Sequence, residues 1–231
     1  MKKPSLCIIL PAYNEAPVIV QVLNSLKKYC QTLKQYVIEI VVVNDGSKDQ
    51  TAKLAQKSQV TVLSHILNRG LGAALATGLS YAKLHNFDIA LTMDSDGQHD
   101  PRDIEKAIKP IVKNQADVVI GTRYHDLKKV PIDRQFIMHT GSLLTWLFFG
   151  VWTTDSQSGF RVFSKKALQI IRLKTQGMEV SSEFFAEIKR HNLKLKEVPI
   201  RVIYTKYSRA KGQSNLNSVN VGLKLLLRLF R

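Results

Sequence analysis

Short apolar runs alternate along the first half of the chain with longer stretches whose apolar residues return every three or four positions. The runs are "SLCIILPAY" (5–13), "YVIEIVVVNDGS" (36–47), "VTVLSHI" (60–66), "DIALTMD" (88–94) and "ADVVIGTR" (116–123). Their near-continuous apolar character is that of strands buried on both faces. Between them, "NEAPVIVQVLNSLKKYC" places Val18, Val22, Leu23 and Leu26 on one helical face, with Asn14 as candidate N-cap and Pro11 ending the first strand. "KDQTAKLAQKS", the small-residue segment "LGAALATGLSYAKLH" and "PRDIEKAIKPIVKN" complete the series of helices. Strand–helix alternation of this kind predicts an α/β fold, a mostly parallel sheet with helices on both faces. Ligands of such sheets sit beyond the carboxyl ends of the strands. The polar segments "PAYNE", "NDGS", "DSDGQ" and "GTR" each follow an apolar run, so they converge there.

Composition narrows the class. A chain of 231 residues that is 45% hydrophobic can bury the core of a single domain. No apolar stretch reaches membrane-spanning length, and the apolar run near the N-terminus is too short for a signal peptide. Cys7 and Cys30 show neither a disulfide framework nor metal spacing, which points to a reducing compartment. Net charge is +16 and uneven: residues 1–100 carry 10 basic and 8 acidic side chains, residues 101–231 carry 24 and 10. Many of these lysines are solvated surface, but the imbalance asks for an anionic partner on the second half.

Against that background, three aspartates crowd into "TMDSDGQHDP" (92–101) directly after a buried run. Like charges so close must be offset by a metal, by basic side chains or by water. A calcium-binding hand is excluded, because His99 stands where that loop requires glycine and a strand precedes it. Asp94 and Asp96 are two apart, so on extended backbone both face one way and suit one hard divalent cation, with the Gln98 amide oxygen as a third ligand. The alternative is an acidic turn that caps the next helix, and Asp100 before Pro101 fits that role. "NRGLGAALATG" (68–78) begins like a dinucleotide fingerprint through Gly70 and Gly72, but Leu75 replaces the third glycine and the segment follows the third strand.

Taken in order, "PAYNE" (11–15), "VVNDGSKDQT" (42–51), "NRGLGAAL" (68–75), "DSDGQHDP" (94–101), "GTR" (121–123) and "DSQSGFRVF" (155–163) resemble the inverting family 2 glycosyltransferases of GT-A (Rossmann-like) fold. Within that family the chain looks most like the dolichyl-phosphate mannose and glucose synthases, over residues 1–216. The resemblance implies transfer of mannose or glucose from GDP-mannose or UDP-glucose to a dolichyl or undecaprenyl phosphate, with Mg²⁺ or Mn²⁺ as cofactor. It implies donor contacts from Pro11, Tyr13, Glu15, Asp45, Asn68, Gly72, Asp94, Ser95 and Asp96, and metal ligation by Asp94, Asp96 and Gln98. Catalytic roles fall on Asp94, Asp96, Asp155 and Arg123. Arg123, Arg134 and Arg161 would meet the acceptor phosphate, with Ser158, Gly159 and Phe160 in the adjoining loop. Arg201, Lys206, Arg209 and Lys211 correspond to a basic loop over the donor. After Arg134 such synthases often carry Ser and a second Arg; Met138 and His139 stand in those places.

The chemistry of the acceptor separates two enzyme readings. A hydroxyl acceptor requires a general base, for which Asp155 is the candidate unless it pairs with Arg161 or caps a helix. A phosphate acceptor is already largely ionised and needs arginines instead. Two segments suit a membrane surface. In "NSVNVGLKLLLRLFR" (217–231) the polar residues Asn217, Asn220, Lys224, Arg228 and Arg231 oppose Val219, Leu223, Leu226, Leu227 and Phe230, predicting an amphipathic interfacial helix. "GSLLTWLFFGVW" (141–152) either dips into the interface or packs on the core. These features predict a peripheral enzyme on the cytoplasmic face of a membrane, alone or with a membrane-anchoring protein partner. A nucleic-acid-binding reading is disfavoured, because the most distinctive loop is acidic and no stacked-aromatic surface motif is present.

Overall fold

The computed structural model describes residues 3–123, 132–203 and 207, without the side chains of 132–134 and 136–138. The strands are β1 (Ser5–Ala12), β2 (Val37–Asn44), β3 (Thr61–Ser64), β4 (Ile89–Thr92), β5 (Val118–Thr122), β6 (Arg161–Ser164) and β7 (Leu195–Pro199). The helices are α1 (Ile19–Cys30), α2 (Thr51–Lys57), α3 (Leu71–Leu84), α4 (Ile104–Val112), α5 (Ile132–Phe149), α6 (Lys165–Ile170) and α7 (Val180–Arg190). They build one seven-stranded sheet of order β3-β2-β1-β4-β6-β5-β7. Only β6 runs against its neighbours, pairing antiparallel with both β4 and β5.

Side-chain alternation divides the core between two faces. Leu6, Ile8 and Leu10 of β1, Ile40 and Val42 of β2, and Leu91 of β4 pack with Leu23 and Leu26 of α1 and Ile104 and Ile108 of α4. Cys7 and Ile9, Val41 and Val43, and Ala90 face the other way, onto Ala74 and Leu79 of α3 and Phe184 and Phe185 of α7. Both cysteines are free, and burial pushes the Cys7 thiol well above its ordinary value.

The five strands read from the sequence are all present. β6 and β7 were not anticipated: one spans four residues and the other five, and β7, "LKEVP", carries charges. Two local expectations need correction. β1 does not stop at Pro11; it continues to Ala12, paired with β2 throughout. Pairing with β4 ends at Ile9–Thr92, so the missing Pro11 N–H falls where no ladder bond is required. Asn14 does not cap α1, which starts at Ile19 after Val18. Asn14 lies instead in the left-handed region, φ 53°, and the turn is closed by the Val18 and Ile19 amides donating to the Glu15 carbonyl. Asp100 does act as a cap: its carboxylate accepts from the Arg102 amide over the short 3₁₀ turn Pro101–Asp103.

The order of strands explains where the site lies. The chain builds outward from β1 through β2 to β3, then crosses to β4 on the other side of β1. The crevice at that reversal lies beyond the carboxyl ends of β1 and β4. Because β6 is antiparallel, the loop that precedes it arrives at this same edge, beside the end of β5.

Candidate active site

The donor side begins with the β1–α1 and β2–α2 loops, which hold each other. The Asn14 amide donates to Ser47 Oγ and the Lys48 amide to Asn14 Oδ1. The Glu15 amide donates to Thr51 Oγ1, whose hydroxyl donates in turn to Asp49. Glu15 is buried and accepts from the Tyr207 hydroxyl at 2.8 Å, a contact that spans most of the chain. Tyr13, beside it, is 37% exposed. Asp45 follows β2 and is buried. Its Oδ1 accepts from the Arg69 amide at 2.9 Å and pairs with His65 Nδ1 at 2.7 Å, while Oδ2 accepts from the Gly70 amide at 2.7 Å. His65 Nε2 in turn meets Thr77 Oγ1 at 2.9 Å. Gly46 makes this convergence feasible: it has φ +65°, and a Cβ there would overlap the backbone of Leu67 and Asn68.

The acidic loop follows β4. Ser95 Oγ donates to the Pro11 carbonyl at 2.7 Å and ties the loop to β1. Asp94 extends the exposed end of the loop, its amide donating to His99 Nδ1 at 3.1 Å and its Oδ2 standing 3.7 Å from His99 Nε2. Asp96 is gripped by Gln98, whose backbone amide and side-chain amide donate to its two oxygens at 2.9 and 2.5 Å. Burial, and then the neighbouring Asp94 charge, raise the Asp96 carboxyl above its ordinary range. Neither carboxylate pairs with a lysine or arginine among the described residues. Two carboxylates that disfavour each other's charge fit a divalent cation. No group of three carboxylates, histidines or cysteines is gathered for a metal among the described residues, so such a cation would take its remaining ligands from Gln98, water and a diphosphate.

On the other side, Asp155 is wholly buried and grips Arg123: Nε and Nη2 of the guanidinium reach its two oxygens at 2.6 and 2.5 Å. Of the alternatives to a free base at Asp155, the ion pair is the one present, but its bidentate partner is Arg123 and not Arg161. Glu197 of β7 secures the loop before it, accepting from the Thr153 hydroxyl at 2.5 Å and from the Thr154 amide at 2.6 Å. Arg161 lies inward of the loop, 2% exposed, its Nη2 donating to the Ser156 carbonyl and its guanidinium 4.4 Å over the Phe184 ring. Arg201 is anchored by its backbone amide and guanidinium to Asp103, at 2.7 and 2.9 Å. The segment it begins runs along the acidic loop, where Val202 bridges His99 and the Ile203 amide donates to the Gln98 carbonyl.

Asn68 stands exposed on the turn after β3. Gly72 packs against the backbone of Thr175 and Gln176, where a Cβ would overlap. Arg134 falls in α5 with its side chain outside the described residues. Lys206, Arg209, Lys211 and the segment 217–231 lie outside them altogether. His65, His99, Glu197 and Tyr207 were missed. Each is a single polar residue in unremarkable sequence, and only the fold brings it to the crevice.

The sheet has the GT-A architecture. Glucosyl-3-phosphoglycerate synthase of Mycobacterium tuberculosis, solved with Mn²⁺ and UDP-glucose, superimposes with a TM-score of 0.70 at 18% identity, over 98% of this chain and 78% of that one. The family model "Glycosyl transferase family 2" matches residues 7–171. An uncharacterised protein of Methanocaldococcus jannaschii is 42% identical over 99% of this chain and 93% of its own length. The UDP-N-acetylglucosamine–dolichyl-phosphate N-acetylglucosaminyltransferase of Methanococcus voltae is 36% identical over 96% and 93%. An undecaprenyl-phosphate mannosyltransferase of Micrococcus luteus is 29% identical over 93% and 88%. The chain belongs to glycosyltransferase family 2 and is a glycosyltransferase.

Proposed function

We propose that the protein transfers a sugar from a nucleoside diphosphate to a polyprenyl phosphate at a membrane surface. The observation that carries this reading is the state of Asp155. Both its oxygens are taken up by the Arg123 guanidinium, so the residue in the position of a general base is engaged. A hydroxyl acceptor would need that base free. A phosphate acceptor is ionised already, and a phosphate can compete with the carboxylate for a guanidinium fork. The names of the Methanococcus and Micrococcus relatives point the same way.

In this reading Asp94, Asp96 and the Gln98 oxygen hold Mg²⁺ or Mn²⁺, which supplies positive charge to the leaving diphosphate. The protein's own groups do the rest. Asp45, its carboxylate oriented by His65 and two backbone amides, keeps acceptor capacity on Oδ2 for a donor group of the nucleoside. Tyr13 and Glu15 border the same pocket. Arg123 receives the acceptor phosphate and aims its oxygen at the anomeric carbon, so that orientation replaces proton abstraction. On the outer surface, Leu147 and Trp152 are 64% and 62% exposed and Trp146 is also open, which supports the interfacial reading of 141–152. No helix among the described residues is long and apolar enough to cross a membrane.

The test offers UDP-N-acetylglucosamine, UDP-glucose and GDP-mannose separately with a polyprenyl phosphate and Mn²⁺ or Mg²⁺, and follows label into the organic phase. Transfer is expected from one donor, and EDTA should abolish it. Asp155→Asn should retain activity within about tenfold. Donor hydrolysis with no lipid product, or collapse of turnover in Asp155→Asn with the fold intact, refutes the phosphate-acceptor reading.

A further inference from the structure

Arg161 presents a puzzle. It is almost completely buried at the start of β6, and its Nε has no hydrogen-bond partner among the described residues. Taking a guanidinium out of water is expensive unless nearby negative charge compensates. The register of the sheet identifies that charge. Arg161 stands opposite Thr92, two residues before Asp94, and the Thr92 hydroxyl donates to the Gly159 carbonyl at 2.9 Å. The Asp94 carboxylate lies against Gly159, so close that any Cβ there would overlap it. Burial lowers the guanidinium pKa to about 10, and the opposing influences are the charges of Asp94 and Asp155.

Asp155 already has Arg123 as its partner. Asp94 and Asp96 have no such pairing among the described residues. Counting Asp94, Asp96 and Asp155 against Arg123 and Arg161, the site carries one net negative charge rather than two. Mutual repulsion between Arg161 and an entering divalent cation opposes metal binding, whereas an entering diphosphate is attracted by both.

We propose that Arg161 is a fixed counter-charge that keeps the Asp94–Asp96 pair a weak metal site until a nucleoside diphosphate is present, coupling metal binding to donor binding. The inference rests on the proposed role of Asp94 and Asp96 as metal ligands. It assigns Arg161 a positioning role from its buried place at the start of β6, in place of the acceptor-phosphate contact that the resemblance implied.

The experiment titrates Mn²⁺ into the full chain and follows free aqueous Mn²⁺ by electron paramagnetic resonance, without nucleotide and with saturating UDP or GDP. Protein-free nucleotide is the baseline. The wild type should bind Mn²⁺ at least about tenfold more tightly with one of the nucleotides, and by linkage Mn²⁺ should tighten that nucleotide by the same factor. Arg161→Met should raise the nucleotide-free Mn²⁺ affinity by about fivefold or more and shrink the coupling. A purely structural Arg161 would give lower affinity in both conditions, never higher. Equal Mn²⁺ affinity with and without nucleotide in the wild type overturns the proposal without any variant. So does an Arg161→Met protein with unchanged nucleotide-free affinity. If Arg161→Met does not fold, Arg161→Gln keeps a polar head toward the Ser156 carbonyl and is judged the same way. Asp94→Asn separates the two levels: Mn²⁺ binding that survives it refutes the metal-ligand reading itself. Loss in Asp94→Asn with no gain in the Arg161 variants refutes only the counter-charge.

Discussion

The two sides of the crevice are built on different physics. The donor side, around the ends of β1, β2 and β3, is knit by hydrogen bonds from backbone amides and hydroxyls: Arg69 and Gly70 to Asp45, Asn14 to Ser47, and Ser95 of the loop after β4 to Pro11. The side built on β5, β6 and β7 is held by charge: Arg123 to Asp155, Arg201 to Asp103, Glu197 to two threonines. Amides on a rigid edge cannot be displaced, so they preset a pocket whose shape does not depend on what enters. Ion pairs can exchange partners, so they accommodate an incoming anion. The charge imbalance of the sequence follows the same division, near neutral before residue 100 and strongly basic after it.

The sharpest way to break this contrast is at the junction of the two sides. Asp94→Asn should lower turnover by about 10³-fold, near 4 kcal/mol of transition-state stabilisation, while thermal unfolding is little changed. Arg123→Met should lose both: turnover falls because the acceptor phosphate loses its guanidinium, and stranding the buried Asp155 charge should cost about 3–5 kcal/mol in denaturant unfolding. Gly159→Ala inserts a methyl group against the Asp94 carboxylate. Displacing that group should cost about 10²-fold in turnover, with the far-ultraviolet dichroism preserved.

Smaller effects distinguish a structural carboxylate from a site carboxylate through pH. Burial pushes Asp100 upward, but its hydrogen bonds to Arg102 and the charge of Arg201 outweigh this and hold it below its ordinary value. A carboxyl lowered on folding stabilises above its unfolded pKa, and that contribution fades as pH falls through the folded value. Asp100→Ala should therefore cost about 1 kcal/mol at neutral pH, chiefly as a lost cap, and this difference from wild type should narrow on acidification toward pH 3. Asp96 is raised by burial and by Asp94, so its slope is opposite: its folding contribution is most favourable below the unfolded pKa and is lost as pH rises through the folded one. Asp96→Asn should unfold at a slightly higher temperature than wild type at pH 7 without metal, by a few degrees or less, and lose activity. An Asp96→Asn protein less stable than wild type at pH 7 would remove the charge-strain account of the acidic pair.

Five strands, the helices between them and the convergence of "PAYNE", "NDGS", "DSDGQ" and "GTR" were legible because apolar periodicity and strand-end polarity are local properties. β6 and β7 were not, since their four and five residues are too short for periodicity to register. Asn14 looked like a helix cap because its residue type favours one. The chain instead uses it in the left-handed turn that lets Ser47 and Lys48 reach the β1 loop.

The amino-acid sequence by itself determined the layer architecture, the family and the crowding of acids after β4, since each is written in neighbouring residues. Tertiary structure decided the partners. Asp155 met Arg123 rather than Arg161 because the antiparallel β6 carries the loop before it to the end of β5. His65 reached Asp45, and Arg161 came to stand opposite Thr92 within the influence of the Asp94 charge, by the same kind of long-range placement. Pairings between residues far apart in the chain depend on strand order and direction, which residue pattern alone does not encode.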